Sequence, residues 1–303
     1  MSDSKWKVEP QPYSELHLGL ALSGGGARGL AHVGVLKVLE REGIGVDCLA
    51  GTSMGGLIAA TYAAGMSATD IEHEACRMSN VRRLLALADP SLLRRGVFHG
   101  QRVVEYLLSL LGDRTFDDLC IPVSLVAVDL IGRQQVILSQ GRVVDAVRAT
   151  IAIPGVFVPV ERGDQLLVDG GALNNLPTDV ARGMNANVVI AVDVHTPASA
   201  GPFARMGAYP CIPNGPVETL DILWRSLNLM LVEIQHRRLI DSPPDVLICP
   251  AIPADVTTLT GFTRAEEIIA AGERAAEAAL PEIRTRIRLE SRCPYSRIGS
   301  RVH

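Results

Sequence analysis

A serine set between small residues, Gly51-Thr52-Ser53-Met54-Gly55, stands where a short apolar run, 46–51, gives way to an Ala- and Gly-rich stretch, 55–65. The first reads as a buried strand and the second as a helix, so Ser53 falls on the corner between them. Such a corner holds its residue in a strained conformation and exposes the side chain, which is how a chain presents a hydroxyl for nucleophilic attack. Gly51 and Gly55 fit that reading, because a Cβ at either position would collide with the neighbouring strand or helix. A plain strand-turn-helix connection fits the same five residues, so other parts of the chain must decide.

A second group lies upstream. The strand-like run Leu20-Ala21-Leu22-Ser23 leads into Gly24-Gly25-Gly26-Ala27-Arg28-Gly29, which opens a helix predicted over 30–42. Consecutive glycines leave backbone N–H groups bare and able to approach a ligand, and the helix adds its positive end, so the loop is an anion cradle. Gly24, Gly26 and Gly29 also match the G-x-G-x-x-G spacing of a dinucleotide site. The acidic residue such a site needs at the end of its second strand is missing, however: Asp47 stands near that strand's start, and its end is the serine elbow. No Gly-Lys-Ser/Thr follows, which excludes a P-loop. The oxyanion of a tetrahedral acyl intermediate accounts for the glycine loop and the serine together.

In a third group the strand-like Leu166-Leu167-Val168 ends in Asp169-Gly170-Gly171, followed by Ala172-Leu173-Asn174-Asn175-Leu176-Pro177, whose proline suits a helix start. Asp169 is thus expected at a strand's carboxyl end, the edge of an open α/β sheet where Ser53 and the loop 24–29 also fall. An ordinary Asp-Gly turn is the plain alternative.

Glycine-rich oxyanion loop, G-x-S-x-G elbow and D-G-G box, in that order, resemble the patatin-like phospholipase family. The likeness is to its bacterial and neuropathy-target-esterase branch, where Ser-Gly-Gly-Gly-Ala-Arg-Gly and Gly-Thr-Ser-Met-Gly-Gly recur almost in this form. The resemblance covers residues 18–194. It implies Ser53 as nucleophile and Asp169 as its base, a dyad without histidine, with the amides of Gly25 and Gly26 holding the oxyanion and Arg28 lending its charge there. It implies a serine acyl hydrolase of esterase, phospholipase A or lysophospholipase type, acting on ester-linked acyl chains of lipids. The motifs require neither calcium nor another cofactor.

A carboxylate with a reference pKa of about 3.9 is a weak base for a serine hydroxyl. The dyad therefore needs a short Ser–Asp hydrogen bond in a site partly closed to water, with the elbow helix stabilising negative charge. Asn174 and Asn175 either hold the loop by hydrogen bonds or are ordinary turn asparagines. A triad hydrolase would need a histidine after Asp169, for which His195, following the strand-like 188–194, and His236 are the candidates. A binding or regulatory protein retaining the same pocket is the nonenzymatic alternative. His32, on the first helix, reads as packing or capping.

The remaining composition sets the frame. A chain of 303 residues with 48% hydrophobic and 20% charged content suffices for one large α/β domain. A net charge of −4 and a pI near 6.0 give no sign of nucleic-acid binding. Cys48, Cys76, Cys120, Cys211, Cys249 and Cys293 are scattered without zinc-type pairing, and read as buried thiols of a reducing compartment. Residues 1–16 hold no apolar core of signal-peptide length, and no run reaches the roughly 18 apolar residues needed to cross a bilayer. The expected location is cytoplasmic or peripheral to a membrane, with lipid met at a surface.

Strands are predicted over 17–23, 46–51, 123–128, 134–139, 156–160, 165–168, 187–194 and 246–249, and helices over 30–42, 55–65, 143–151, 178–184, 217–240 and 264–288. This alternation predicts a three-layer α/β/α sheet in a single domain over 17–289, with tails 1–16 and 290–303. Residues 67–119 are expected to form a helical insertion in which Arg82, Arg83, Arg94 and Arg95 stand beside Leu84, Leu85, Leu87, Leu92, Leu93, Val97 and Phe98. That mixture suits a cap on anionic lipid headgroups or a solvated helix face packed on the core. The Pro- and Gly-rich run 196–216 is expected to be a mobile loop at the cleft mouth. From Arg284 onward six arginines stand against Glu290 alone, a bias that suits solvation or an anionic membrane.

Overall fold

Residues 16–91, 96–195, 214–258 and 260–291 are described by the structure, a computed structural model. In chain order its elements are β1 (Leu18–Leu22), a 3-10 turn (Gly26–Leu30), α1 (Ala31–Arg41), β2 (Cys48–Thr52), α2 (Met54–Ala63), α3 (Ala68–Met78), α4 (Val81–Ala86), β3 (Gly96–Phe98) and α5 (Gln101–Leu111). There follow β4 (Val123–Asp129), β5 (Gln134–Leu138), α6 (Val143–Thr150), β6 (Gly155–Phe157), β7 (Val160–Arg162), β8 (Gln165–Asp169), α7 (Thr178–Gly183), β9 (Val188–Val192), α8 (Asn214–Asp241), β10 (Val246–Ile248) and α9 (Ala265–Ser291).

β1, β2, β4 and β9 are buried at every residue, which is why they read as unbroken apolar runs: a parallel strand is covered on both faces. They and β10 pair in parallel in the order β10-β9-β1-β2-β4. Successive side chains go to opposite faces. Leu18, Leu20, Leu22 and Ile190 join one core with Leu36 of α1, Ile58 of α2, Val147 of α6 and Ile268 of α9. Ala21, Ala50, Val126 and Ala191 join another with Val180 and Ala181 of α7, against which Leu239 of α8 packs. The expected three-layer α/β/α architecture is the observed one.

The sheet departs from a uniform parallel one at β4. Along one edge of β4, Leu49 to Thr52 of β2 pair with Val123 to Val126. There β2 ends, and the same edge is continued by β8 running the other way, with Ala127 opposite Asp169 and Asp129 opposite Leu167. The other edge is occupied by β5. β2 and β8 therefore meet carboxyl end to carboxyl end beside Val126 and Ala127. Asp169 reaches the level of Ser53 by descending from beyond the sheet's carboxyl edge, not by rising to that edge as a parallel strand would.

Other expectations are corrected. The strand predicted over 156–160 is split at Pro159, which has no N–H to donate: β6 pairs with β3, and β7 pairs with β8. Segment 67–119 is not all helix, because it contains β3. Within it α3 buries Ala68 and Ile71, α5 buries Val103, Leu107 and Leu111, and α4 buries none of its residues. Arg82, Arg83 and Leu85 are exposed, while Leu92, Leu93, Arg94 and Arg95 lie outside the described residues. So does 196–213, whereas Asn214 already begins α8; at the other end α9 continues to Ser291, and Arg292, Arg297 and Arg301 are outside. Of the cysteines, Cys48 is buried, Cys76 half-buried, and Cys120 and Cys249 exposed; all four are free thiols. Cys211 and Cys293 fall outside the described residues.

α1 and α9 cross so closely that Gly34 rests on the backbone of Ile269 and Glu273, and Gly272 on that of Ala31. A Cβ at either position would overlap main-chain atoms, which cannot swing aside as a side-chain tip can. Gly34→Ala and Gly272→Ala should each destabilise by about 1–3 kcal/mol. Gly183→Ala, where an added Cβ meets nothing, should be neutral or stabilising by up to about 1 kcal/mol; urea unfolding of the three variants checks the contrast.

Candidate active site

Since β2 ends at Thr52 and α2 starts at Met54, Ser53 alone makes the turn. Its φ of 53° and ψ of −124° lie outside the regions that L-residues favour, a strain on the order of 1–3 kcal/mol. Hydrogen bonds on each side over-determine it. The Ser53 N–H donates to Thr150 Oγ1 (2.9 Å), whose hydroxyl donates to the Val126 carbonyl (2.5 Å), and the Ser53 carbonyl accepts from Leu57 N (3.0 Å). The Thr52 hydroxyl donates to the Asn174 carbonyl at 2.8 Å. A Cβ on Gly55 would strike the carbonyls of Leu22 and Ser23, and one on Gly51 would lie 2.6 Å from Gly56 Cα. The elbow requires these glycines for close approach.

Across the end-to-end junction of β2 and β8, Ser53 Oγ donates to Asp169 Oδ2 at 2.5 Å, and Asp169 Oδ1 accepts from Gly171 N at 2.8 Å. Gly170 lies flat on the Val126 carbonyl, where no side chain fits. Both members of the pair are buried, Ser53 at 5% exposure and Asp169 at 6%. Burial raises the Asp169 carboxyl from 3.8 to about 6, against the smaller lowering influence of the hydrogen bonds from Ser53 and Gly171. The asparagines do hold the loop. Asn174 Nδ2 donates to Asp179 Oδ1 (2.8 Å) and Gln135 Oε1 (3.1 Å), and Asn175 engages Gly24.

The glycine loop lies against the serine: a Cβ on Gly24 would be 3.1 Å from Ser53 Cβ. Gly24 does not offer its amide to a ligand, however, because that N–H donates to the Asn175 carbonyl at 3.0 Å. Among the described residues the amides of Gly25 and Gly26 donate to nothing. Gly26, with φ 55°, presses on the Thr258 carbonyl, and Gly29 lets the 3-10 turn rest on Met54 of α2. Arg28 has contacts that the sequence did not show. Its buried guanidinium donates through Nε to the Val194 carbonyl (2.6 Å) and through Nη1 to the Val256 carbonyl (3.0 Å), tying the loop to the segments after β9 and β10. Burial lowers its pKa, opposed by Asp193.

Among the described residues no hydrogen bond joins a histidine to Ser53 or Asp169. His236 is exposed on α8. His195 contributes its backbone N–H to Asp193 Oδ1 (2.9 Å), and burial, then the Arg28 charge, lower its pKa. His32 is wholly buried with Nε2 2.8 Å from the Ser23 carbonyl, which makes Nε2 the protonated nitrogen; burial brings its pKa to about 4.

Residues 20–182, more than half of the chain, match the model of the patatin-like phospholipase family. The chain belongs to that family. It is 35% identical over 228 residues to an uncharacterized NTE family protein of Mycobacterium tuberculosis, an alignment covering 75% of this chain and 61% of that protein. It is 36% identical over 181 residues to mouse patatin-like phospholipase domain-containing protein 6, covering 58% of this chain and 13% of that protein. This chain therefore spans less than two thirds of the length of these relatives. Its fold is similar to that of VipD from Legionella pneumophila, with a TM-score of 0.56 at 13% identity over 89% of this chain and 67% of that one. The span matched by the patatin-like model contains Ser53, Asp169 and the glycine loop. Asp193 and Gln235, which the sequence reading did not single out, lie beyond it, and Thr150, also missed, lies within it as one buried hydroxyl at the end of α6.

His32 and Asp169 impose opposite pH dependences on stability. Between about 4 and 6.5 the unfolded chain holds the His32 proton and the folded one does not, so that contribution to stability falls as pH falls. Between 3.8 and about 6 the folded chain holds the Asp169 proton, so that contribution falls as pH rises. Each amounts to about 3 kcal/mol across its window. Relative to wild type, Asp169→Asn should therefore gain stability as pH rises from 4 to 6.5, and His32→Gln, which keeps a donor for Ser23, should lose it; denaturant titrations at several pH values read both.

Proposed function

We propose that this protein is a serine acyl hydrolase cleaving ester-linked acyl chains of lipids, phospholipids or lysophospholipids by its family membership, with Ser53 and Asp169 as a dyad. The observation that carries the reading is the 2.5 Å hydrogen bond from Ser53 Oγ to Asp169 Oδ2 at a strained elbow. As Ser53 Oγ attacks the ester carbonyl carbon, Asp169 accepts its proton, and the resulting oxyanion takes hydrogen bonds from the Gly25 and Gly26 amides. Collapse expels the alcohol, which leaves with the proton from Asp169. Water, deprotonated by Asp169, then attacks the acyl-serine, and Ser53 recovers its proton as the fatty acid leaves. The N-terminus of α2, which starts directly after Ser53, favours the negative charge at each step. No helix among the described residues is long and apolar enough to cross a membrane.

On a soluble short-chain p-nitrophenyl ester, Ser53→Ala and Asp169→Asn should each lower kcat by at least about 10³-fold, while His195→Ala and His236→Ala stay within a few-fold of wild type. A large loss in a folded His195→Ala protein would replace the dyad by a triad. A fluorophosphonate should label wild type and not Ser53→Ala; an unlabelled, folded wild type would favour the nonenzymatic alternative.

The dyad also dictates a pH profile. Asp169 must be ionised to accept the proton, so kcat/KM should rise about tenfold per pH unit below about 6 and level off above it. A limb with its midpoint near 4 would contradict a buried carboxylate base.

A further inference from the structure

The glycine loop is held at both ends by polar contacts that lead to one side chain of α8. At its front, Gly24 is gripped by Asn175, whose carbonyl accepts the Gly24 N–H (3.0 Å) and whose Nδ2 approaches the Gly24 carbonyl (3.4 Å). At its rear, Arg28 donates to the Val194 carbonyl and faces the charge of Asp193, which itself accepts the His195 N–H. Gln235 joins the two ends. Its Oε1 accepts from Asn175 Nδ2 at 3.0 Å and its Nε2 donates to Asp193 Oδ2 at 2.5 Å. The amides of Gly25 and Gly26 lie between the gripped ends.

We propose that Gln235 is a positioning residue for the oxyanion loop, coupling α8 to Gly24 through Asn175 and to Arg28 through Asp193, and so fixing where the Gly25 and Gly26 amides point. The inference rests on the acyl-hydrolase reading above. Gln235 touches neither Ser53 nor Asp169, and acts through the loop alone. Its chemistry suits the place: buried at 9% exposure, it must show a donor to a carboxylate and an acceptor to an amide, which a primary amide does with its two ends. Glutamate has no donor for Asp193, and leucine satisfies neither neighbour. The base is firm, because this end of α8 is anchored beside α7, by Arg238 to Asp179 (3.2 Å) and by the Thr178 hydroxyl to the Ser242 carbonyl (2.7 Å).

The test uses the full chain and the soluble p-nitrophenyl ester, with Ser53→Ala as background and melting temperatures as the check on folding. Gln235→Leu and Gln235→Glu should each lower kcat about 10- to 100-fold, the loss expected when oxyanion donors are misplaced, with KM within about threefold of wild type. The paired variant Gln235→Glu/Asp193→Asn keeps both hydrogen bonds with donor and acceptor exchanged between the two residues, and should return kcat to within about threefold of wild type. A purely structural role predicts losses that track melting temperature and no recovery of kcat in the pair. Wild-type kcat in Gln235→Leu, or a pair no better than Gln235→Glu, overturns the inference and leaves the hydrolase reading standing. A wild type no more active than Ser53→Ala overturns both.

Discussion

The geometry of the site depends on one strand edge. β4 lends its first four residues to β2 and its last three to β8, and the handover between Val126 and Ala127 is where the two carboxyl ends abut. Ser53 and Asp169, 116 residues apart in the chain, are brought to hydrogen-bond distance by that register and not by any local motif. A slip of β8 by one residue would turn Asp169 to the opposite face of the sheet. The same strand supplies the carbonyl of Val126, which takes the Thr150 hydroxyl supporting Ser53 and forms the floor under Gly170. One main-chain segment thus positions both halves of the pair and the supports of each.

That placement also sets the electrostatics. An exposed aspartate is too acidic to accept a serine proton readily, and a deeply buried one without hydrogen bonds would stay protonated. Asp169 lies between: burial disfavours its charge, two donors favour it, and the balance near 6 leaves it ionised at neutral pH yet more basic than an exposed carboxylate. The Arg28 guanidinium is not among the groups that shift Asp169. Arg28 is aimed at the carbonyls of Val194 and Val256, with Asp193 as its counter-charge. A guanidinium set against Asp169 would lower its pKa and weaken it as a base. On the proposed reading, the dyad works without histidine because the carboxylate is buried and no cation lowers its pKa.

The features legible in the sequence are those that local sterics dictate. The elbow, the triple glycine and the D-G-G box each announce a backbone path that other residues cannot follow, and strands covered on both faces announce themselves as unbroken apolar runs. Direction was not legible: Gln165–Asp169 has the composition of a strand, and nothing in it says that it runs against β4. Pro159 was visible, yet the sequence did not show that the strands on either side of it would join different partners. The contacts that hold Arg28 were not legible for a related reason. Its partners are main-chain carbonyls far along the chain, and a carbonyl has no signature in a sequence. Gln235 is hidden in the same way, as one polar residue on a long helix whose meaning lies in what faces it.

The glycine loop shows what this scaffold leaves unfinished. In this scaffold the missing Cβ serves closeness: Gly34 and Gly272 let α1 and α9 touch, Gly55 lets α2 rest on the end of β1, and Gly26 lets the loop rest on Thr258. Gly25 and Gly26 are buried as well, but among the described residues their N–H groups are left without acceptors. A buried donor without a partner costs about 1–3 kcal/mol, and folded proteins rarely keep two in succession. Here the neighbours are engaged on either side, Gly24 by Asn175 and Arg28 by Val194 and Val256, so the loop is not loose; it is pinned on both sides of two unengaged donors. On the proposed reading, a substrate oxygen completes this arrangement. On that same reading, an oxygen that bears more negative charge completes it better, so the loop would favour an oxyanion over the ester carbonyl that precedes it.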